Sequence, residues 1–158
     1  MVAGLRFLAL LFVVFALTGA TAVAQDLAKI VTKADVEKAA GAKFKDGWKP
    51  MPTQLSFAQE GGDLQVSVDV EPREASSSVR GWEATIRKMS PTTKVDTVPG
   101  VGKDAIFHST RADNGALSAD FDKPRVALRV AVSGAKSPAQ AKQIVVDLAK
   151  VVGARIGK

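Results

Sequence analysis

The sequence lacks cysteine altogether and contains a single histidine, His108. Without cysteine the protein has no disulfide framework, no thiolate nucleophile, no cysteine-ligated metal site and no lipid-bearing cysteine. The H-x-x-x-H spacing of many zinc sites and the G-x-S-x-G motif of many serine hydrolases are also missing. These absences leave few reactive side chains. The sequence therefore favours a protein that is not an enzyme and that needs no cofactor or metal.

Residues 1–24 have the pattern of a secretory signal peptide. Arg6 provides a basic start, residues 7–17 form an apolar core, and residues 22–24 (AVA) match a small-x-small cleavage site. The apolar run is shorter than the roughly 20 residues that span a bilayer, which favours a cleaved signal over a membrane anchor. The sequence predicts cleavage near Ala24 and a periplasmic or secreted protein.

The remaining segment, residues 25–158, is long enough for one hydrophobic core and too short for two ordinary domains. The full chain carries a formal net charge of +6, and its cationic residues are scattered along the sequence. This excess permits weak contact with anionic lipid, glycan or nucleic acid. A soluble basic surface is the simpler interpretation, and no specific binding of nucleic acid is expected.

Three segments have the pattern of helices. In residues 30–41, Thr32 can cap the helix start, Asp35 stands in the capping-box position and Gly41 can end the helix. Residues 76–89 space their apolar side chains by three and four, which predicts one apolar face made of Val79, Trp82, Ile86 and Met89. Residues 137–156 begin with the capping pattern of Ser137, Pro138 and Gln140 and continue as a broad apolar stripe.

The strand patterns occur in runs. Two prolines favour a loop at residues 43–52, and a hairpin follows with strands at 53–59 and 64–70. Four further strands are predicted at residues 94–98, 105–110, 116–121 and 125–132. Such runs predict an α+β fold with a mainly antiparallel sheet of about six strands and three helices. We expect the last helix to pack on the alternating apolar residues of the last strand, from Val126 to Val132.

The segment VPGVGKDAIF, residues 98–107, contains a GxGK pattern that is similar to part of a phosphate-binding loop. A Walker loop needs G-x-x-x-x-G-K-[ST], but the first glycine and the hydroxyl residue after Lys103 are both missing. Pro99, Gly100 and Gly102 suit consecutive turns before a strand. We therefore interpret them as structural.

His108 is the side chain on which acid–base chemistry near neutral pH would depend. A hydrolase using it would need a strand carboxylate and a serine within reach. Its alternation with Phe107 places it on the opposite face of the strand, where an exposed or edge histidine is expected. Two carboxylate pairs with two-residue spacing are expected to be solvated charge: Asp69 with Glu71, and Asp120 with Asp122.

The segment KFKDGWK, residues 43–49, combines aromatic and basic side chains that could stack on a ring and attract an anion. The residues of this candidate binding surface are Lys43, Phe44, Lys45, Trp48 and Lys49, to which Arg125 and Arg129 are added. The alternative is that both aromatic side chains cover the edge of the sheet while the lysines remain in solvent.

Three features resemble exported bacterial domains of unknown function, represented by small cell-envelope lipoproteins. They are TKADVEKAAG (32–41), VPGVGKDAIF (98–107), and the strand RVALRVAV (125–132) followed by a helix that opens SPAQAKQIVVDLAK (137–150). The middle feature resembles their v-x-G-[LV]-G-[DK]-x-A signature. The resemblance implies a PsbP-like α/β/α sandwich and no established catalytic residues. This sequence departs from those proteins in lacking their lipid-bearing cysteine and cysteine pair, so membrane tethering is not implied.

The first functional hypothesis is thus a non-catalytic, exported envelope domain that binds an envelope protein or a small ligand. The two alternatives are a module that binds anions or polyanions through residues 43–49 and a hydrolase that uses His108.

Overall fold

A computed structural model of the chain describes residues 27–73 and 78–156, so the predicted signal peptide lies outside the described residues. Within these ranges, helical residues 27–30 precede three helices and seven strands. The helices are α1 (Lys33–Ala40), α2 (Val79–Met89) and α3 (Pro138–Ile156). The strands are β1 (Trp48–Met51), β2 (Gln54–Ala58), β3 (Gln65–Pro72), β4 (Lys94–Thr97), β5 (Asp104–Ser109), β6 (Asn114–Asp122) and β7 (Arg125–Ser133). None of the described helices combines the length and the apolar character needed to cross a bilayer.

All seven strands form one antiparallel sheet in the order β1-β2-β3-β7-β6-β5-β4. Neighbours in sequence are neighbours in space except at the centre, where β3 pairs with β7 and Val68 lies opposite Val130. The predicted α+β fold with a mainly antiparallel sheet is confirmed. The sheet has seven strands instead of about six.

The additional strand is β1, which occupies residues 48–51 of the segment predicted to be a loop. Pro50 has no N–H to donate to a sheet, but an edge strand has one side without a partner, so the proline is tolerated there. The pairing with β2 is irregular: Trp48 lies opposite Ser56 and Met51 opposite Gln54. The loop prediction was wrong because prolines exclude a central strand and not an edge strand.

The main hydrophobic core lies between α3 and one face of the sheet. Val126, Leu128, Val130 and Val132 of β7 are buried against α3 residues such as Ile144 and Leu148. The predicted packing of the last helix on the last strand is therefore confirmed. Alternation in β7 leaves Arg125, Ala127, Arg129 and Ala131 on the opposite face.

Helix α2 packs on that opposite face, over β5 and β6. Its buried residues Val79 and Ile86 contact Ile106, whereas the adjacent Phe107 belongs to the main core. The structure thus has helices on both sides of the sheet. The predicted apolar face of α2 is only half correct, because Trp82 is 42% exposed and Met89 77% exposed.

Helix α1 begins and ends as predicted. The Thr32 hydroxyl accepts from the Asp35 backbone N–H, the Asp35 carboxylate accepts from the Thr32 backbone N–H, and Gly41 ends the helix at φ 65°. The sequence did not predict the partner of Asp35 on α3. Arg155 donates to both carboxylate oxygens, at 2.6 and 2.9 Å, and lowers the pKa of Asp35 to about 2, with Thr32 hydrogen bonds adding to the effect.

We expect Arg155→Gln to destabilise the protein by about 1–2 kcal/mol at neutral pH, discounted because the guanidinium is partly exposed. The folded-state pKa of Asp35 is depressed, so its contribution is present above the ordinary value of 3.8 and is lost as the pH falls through about 2. Urea unfolding across this range should show the wild-type and variant stabilities converging in acid. Arg87→Gln, which breaks the exposed Arg87–Glu83 pair, is the control and should lower stability by only about 0.5 kcal/mol. A constant difference between the wild type and Arg155→Gln down to about pH 2 would contradict this assignment.

Candidate functional site

The GxGK segment forms the connection between β4 and β5. Gly100 and Gly102 have φ angles of 79° and 58°, a region that non-glycine residues rarely adopt. The Val98 N–H donates to the Ala105 carbonyl at 2.9 Å, and the Lys103 N–H donates to the Asp120 carbonyl at 2.8 Å. These backbone donors have partners within the protein, so they are not directed at a phosphate.

Asp120 is a buried structural carboxylate, only 3% exposed. It accepts from the Val79 N–H at 2.9 Å, at the start of α2, and lies 3.5 Å from the Arg73 guanidinium. Arg73 also donates to Asp122 at 2.6 Å. The expectation that Asp120 is solvated was wrong, because alternation along β6 places it beneath the start of α2.

The face of the sheet opposite α3 carries an open groove of about 360 Å³. A row of residues in register crosses five strands along this face: Ser56, Ser67, Ala131, Ala116 and His108. Small side chains in the middle of the row leave room above the sheet. Polar side chains surround this space, including Gln54, Gln65, Thr110, Asn114, Arg129 and Ser133.

His108 lies at one end of this row and is 9% exposed. It is on the face opposite Phe107, as expected, but the prediction that it is exposed or at an edge was wrong. β5 has β4 and β6 on either side, and α2 lies on the same face. The Nδ1 atom of His108 has no hydrogen-bond partner within the described part of the chain. Burial, and secondly the charge of Arg129, lower the pKa of His108, so the imidazole is neutral at neutral pH.

The hydrolase hypothesis lacks the carboxylate that it requires. His108 shares the groove with Ser56 and Ser67, but no aspartate or glutamate of residues 27–73 and 78–156 lines the groove, and Nδ1 finds no acceptor among these residues to orient the ring. Within residues 27–73 and 78–156, no group of three histidine or carboxylate side chains is placed to hold a metal ion. The groove can therefore offer hydrogen bonds and charge, without an oriented general base.

Arg129 is exposed and is the charged residue that lines the groove. Asp69 lies opposite it in the pairing of β3 and β7, but no ion pair joins these two described side chains. Trp48 lies at the other side of the groove, is 46% exposed and belongs to the same row through its pairing with Ser56. Arg125 is exposed on the same face of β7 but lies outside the groove.

The basic aromatic segment 43–49 is divided by the fold. Phe44 is fully buried in the main core, so its predicted role as a surface for a ligand is corrected. Lys43 donates to Glu37 at 3.1 Å, and the other Glu37 oxygen accepts from the Phe44 N–H. Lys45 and Lys49 are exposed, and Trp48 is the member of the segment that lines the groove.

No protein-family model and no curated protein matches the chain. A solved structure of a mutant of the protein Mog1 is similar over 69% of this chain and 77% of that chain. The two share 10% sequence identity, with a TM-score of 0.34. A likeness at this level carries no argument about function.

Proposed function

We propose that this protein is a non-catalytic domain, exported to the bacterial cell envelope, that binds a small ligand in the groove above Ala116 and Ala131. The export proposal rests on the signal-peptide pattern of residues 1–24 and on the resemblance of three sequence features to exported domains. The binding proposal rests on the groove and on the hydroxyl, amide and guanidinium groups that line it, with the buried and unpartnered imidazole of His108 at one end.

The unpartnered nitrogen matters because it departs from ordinary protein structure. Buried polar side-chain atoms nearly always have a hydrogen-bond partner, and leaving one without a partner costs about 1–3 kcal/mol. Ser56 and Ser67 line the same groove, and their hydroxyls could form hydrogen bonds to the same ligand. Nδ1 is itself buried, so a bound polar ligand would supply the missing partner if the imidazole turned towards the groove. His108 thus adds to the polar lining that supports a binding site.

The size of the groove favours a small ligand over an envelope protein. Its volume of about 360 Å³ lies in the range of small-molecule sites, roughly 300–1,000 Å³. A stable protein interface usually buries about 800 Å² on each partner and is centred on apolar anchors, whereas polar and apolar groups contribute about equally to the lining of this groove. The small-ligand form of the binding hypothesis is therefore the one that we carry forward.

The test is an NMR fragment screen of the ¹⁵N-labelled protein with neutral, cationic and anionic fragments. We expect some fragments to shift the backbone amides of Ser67, His108 and Ala131, and Ser67→Ile to abolish these shifts by filling the floor of the groove. Thr97→Ile, an exposed position on the edge strand β4, is the matched control and should retain binding. Fragments that bind the wild type and Ser67→Ile equally well, or a screen with no shifts at the groove, would overturn the proposal.

A further inference from the structure

Among the described residues that line the groove, one side chain carries a charge, and that charge is positive. Arg129 is the charged residue among those that line it, and the rest are hydroxyl, amide, imidazole, aromatic or apolar groups. Hydroxyl and amide groups donate hydrogen bonds as readily as they accept them, so they suit an anion as well as a neutral ligand. The described lining thus contains donors and one cation, and no carboxylate is among these lining residues.

Arg129 is also unusual among the arginines of the described ranges. Arg73, Arg80, Arg87, Arg111 and Arg155 each form an ion pair with a carboxylate. Arg129 and Arg125 form none there. Asp69, opposite Arg129 in the sheet, offsets part of its charge without making an ion pair. The guanidinium therefore retains its planar set of donors for a ligand, and this set matches the oxygens of a carboxylate or a phosphate.

Trp48 gives the groove a flat apolar surface on the side away from His108. It lies on β1, and Arg129 lies on β7, three strands further into the sheet. Neighbouring strands are about 4.8 Å apart, so the two backbones are separated by roughly 14 Å. Because both side chains are long and line the same groove, a ligand of one ring with an anionic group could contact both.

We propose that the groove binds a small organic oxyanion, a carboxylate or a phosphate ester on a flat apolar body, with the anionic oxygens at Arg129 and the body against Trp48. This inference rests on the proposed function and names the chemistry of its ligand. His108 is neutral and contributes a hydrogen bond to the bound molecule, and Ser67 donates to the oxyanion.

The test uses calorimetric titration of the purified protein at low salt. Benzoate and phenyl phosphate are the probes, and they distinguish a carboxylate from a phosphate source. Benzyl alcohol has the ring without the charge, and acetate and inorganic phosphate have the charge without the ring. We expect at least one probe to bind about tenfold or more tightly than benzyl alcohol and than its ring-free counterpart.

Two arginine variants locate the binding. Arg129→Gln should weaken binding of the preferred probe about tenfold or more, since a charge-assisted hydrogen bond is lost. Arg125→Gln is the matched control, an exposed arginine on the same strand and face but outside the groove, and should leave the affinity unchanged. Trp48→Ala should weaken binding of the aromatic probe and leave inorganic phosphate unaffected. Circular dichroism should show that all three variants are folded.

The outcomes separate this inference from the proposed function. Equal affinity for benzyl alcohol and the anionic probes, or equal losses in Arg129→Gln and Arg125→Gln, would overturn the oxyanion inference. If no anionic probe binds in the calorimetric titration but neutral fragments still shift the backbone amides of the groove, the oxyanion is rejected as the ligand class. The proposal of a small-ligand site is then unaffected. The proposed function itself is tested by the separate NMR screen. It is rejected if neutral, cationic and anionic fragments all fail to bind at the groove.

Discussion

Replacing Gly102 with alanine should destabilise the protein by about 3 kcal/mol or more, because two separate costs act at this position. Its φ angle of 58° is strained for a residue with a Cβ atom. That Cβ would also lie 2.3 Å from the backbone oxygen of Asp120, far inside van der Waals contact. The same oxygen accepts the hydrogen bond from the Lys103 N–H, so the turn cannot move away without breaking it.

Gly100 provides the matched control within the same turn. Its φ angle is 79°, but a Cβ there would meet no atom within 4 Å. Gly100→Ala therefore isolates the conformational strain and should cost only about 1–2 kcal/mol. Urea unfolding followed by circular dichroism measures both free energies. If the two variants were equally stable, close packing against Asp120 would not be the reason for glycine at position 102.

Truncating Leu148 to alanine should lower the free energy of unfolding by about 3–5 kcal/mol. The side chain is fully buried on α3, in the core between this helix and the sheet. Its removal loses the transfer free energy of the apolar atoms and leaves a cavity that a closely packed sheet cannot readily fill. Thermal and urea unfolding should both show the loss.

Met89→Ala is the control for Leu148→Ala, since it also truncates a large apolar side chain on a helix. Met89 is among the most exposed apolar residues of the described chain, so the change should stay within about 0.5 kcal/mol. A small effect at Leu148, comparable to that at Met89, would show that α3 does not contribute the core described above.

Local rules of sequence predicted most of the fold. The capping residues Thr32 and Asp35 and the terminal Gly41 define α1, and strict alternation identifies β3 and β7. These features depend on neighbours within a few residues, which a sequence displays directly. The errors arose where position within the sheet mattered. Pro50 lies in an edge strand, and Met89 is the last residue of α2, where its side chain is exposed to solvent.

The candidate site was much harder to predict. Trp48 and Arg129 were both proposed as binding residues, but in one surface centred on residues 43–49. The groove instead joins polar positions from strands far apart in sequence, such as Ser56, Ser67 and His108. Each is an ordinary polar residue in an alternating strand, and their alignment depends on the pairing of β3 with β7. No local pattern encodes that pairing. The small side chains of Ala116 and Ala131 are compatible with a groove above the sheet, but alanine in a strand does not by itself predict one.

The pairing of β3 with β7 also has a consequence for folding. Residues 48–72 and residues 94–133 can each build antiparallel strands from local turns. Within the described sheet, the two halves join through the ladder between residues 65–72 and 126–133. Closing so long a loop is entropically unfavourable and slows folding. Until it closes, each half presents a row of unpaired backbone donors and acceptors to other molecules. The newly synthesised chain is thus most prone to self-association just before β3 pairs with β7.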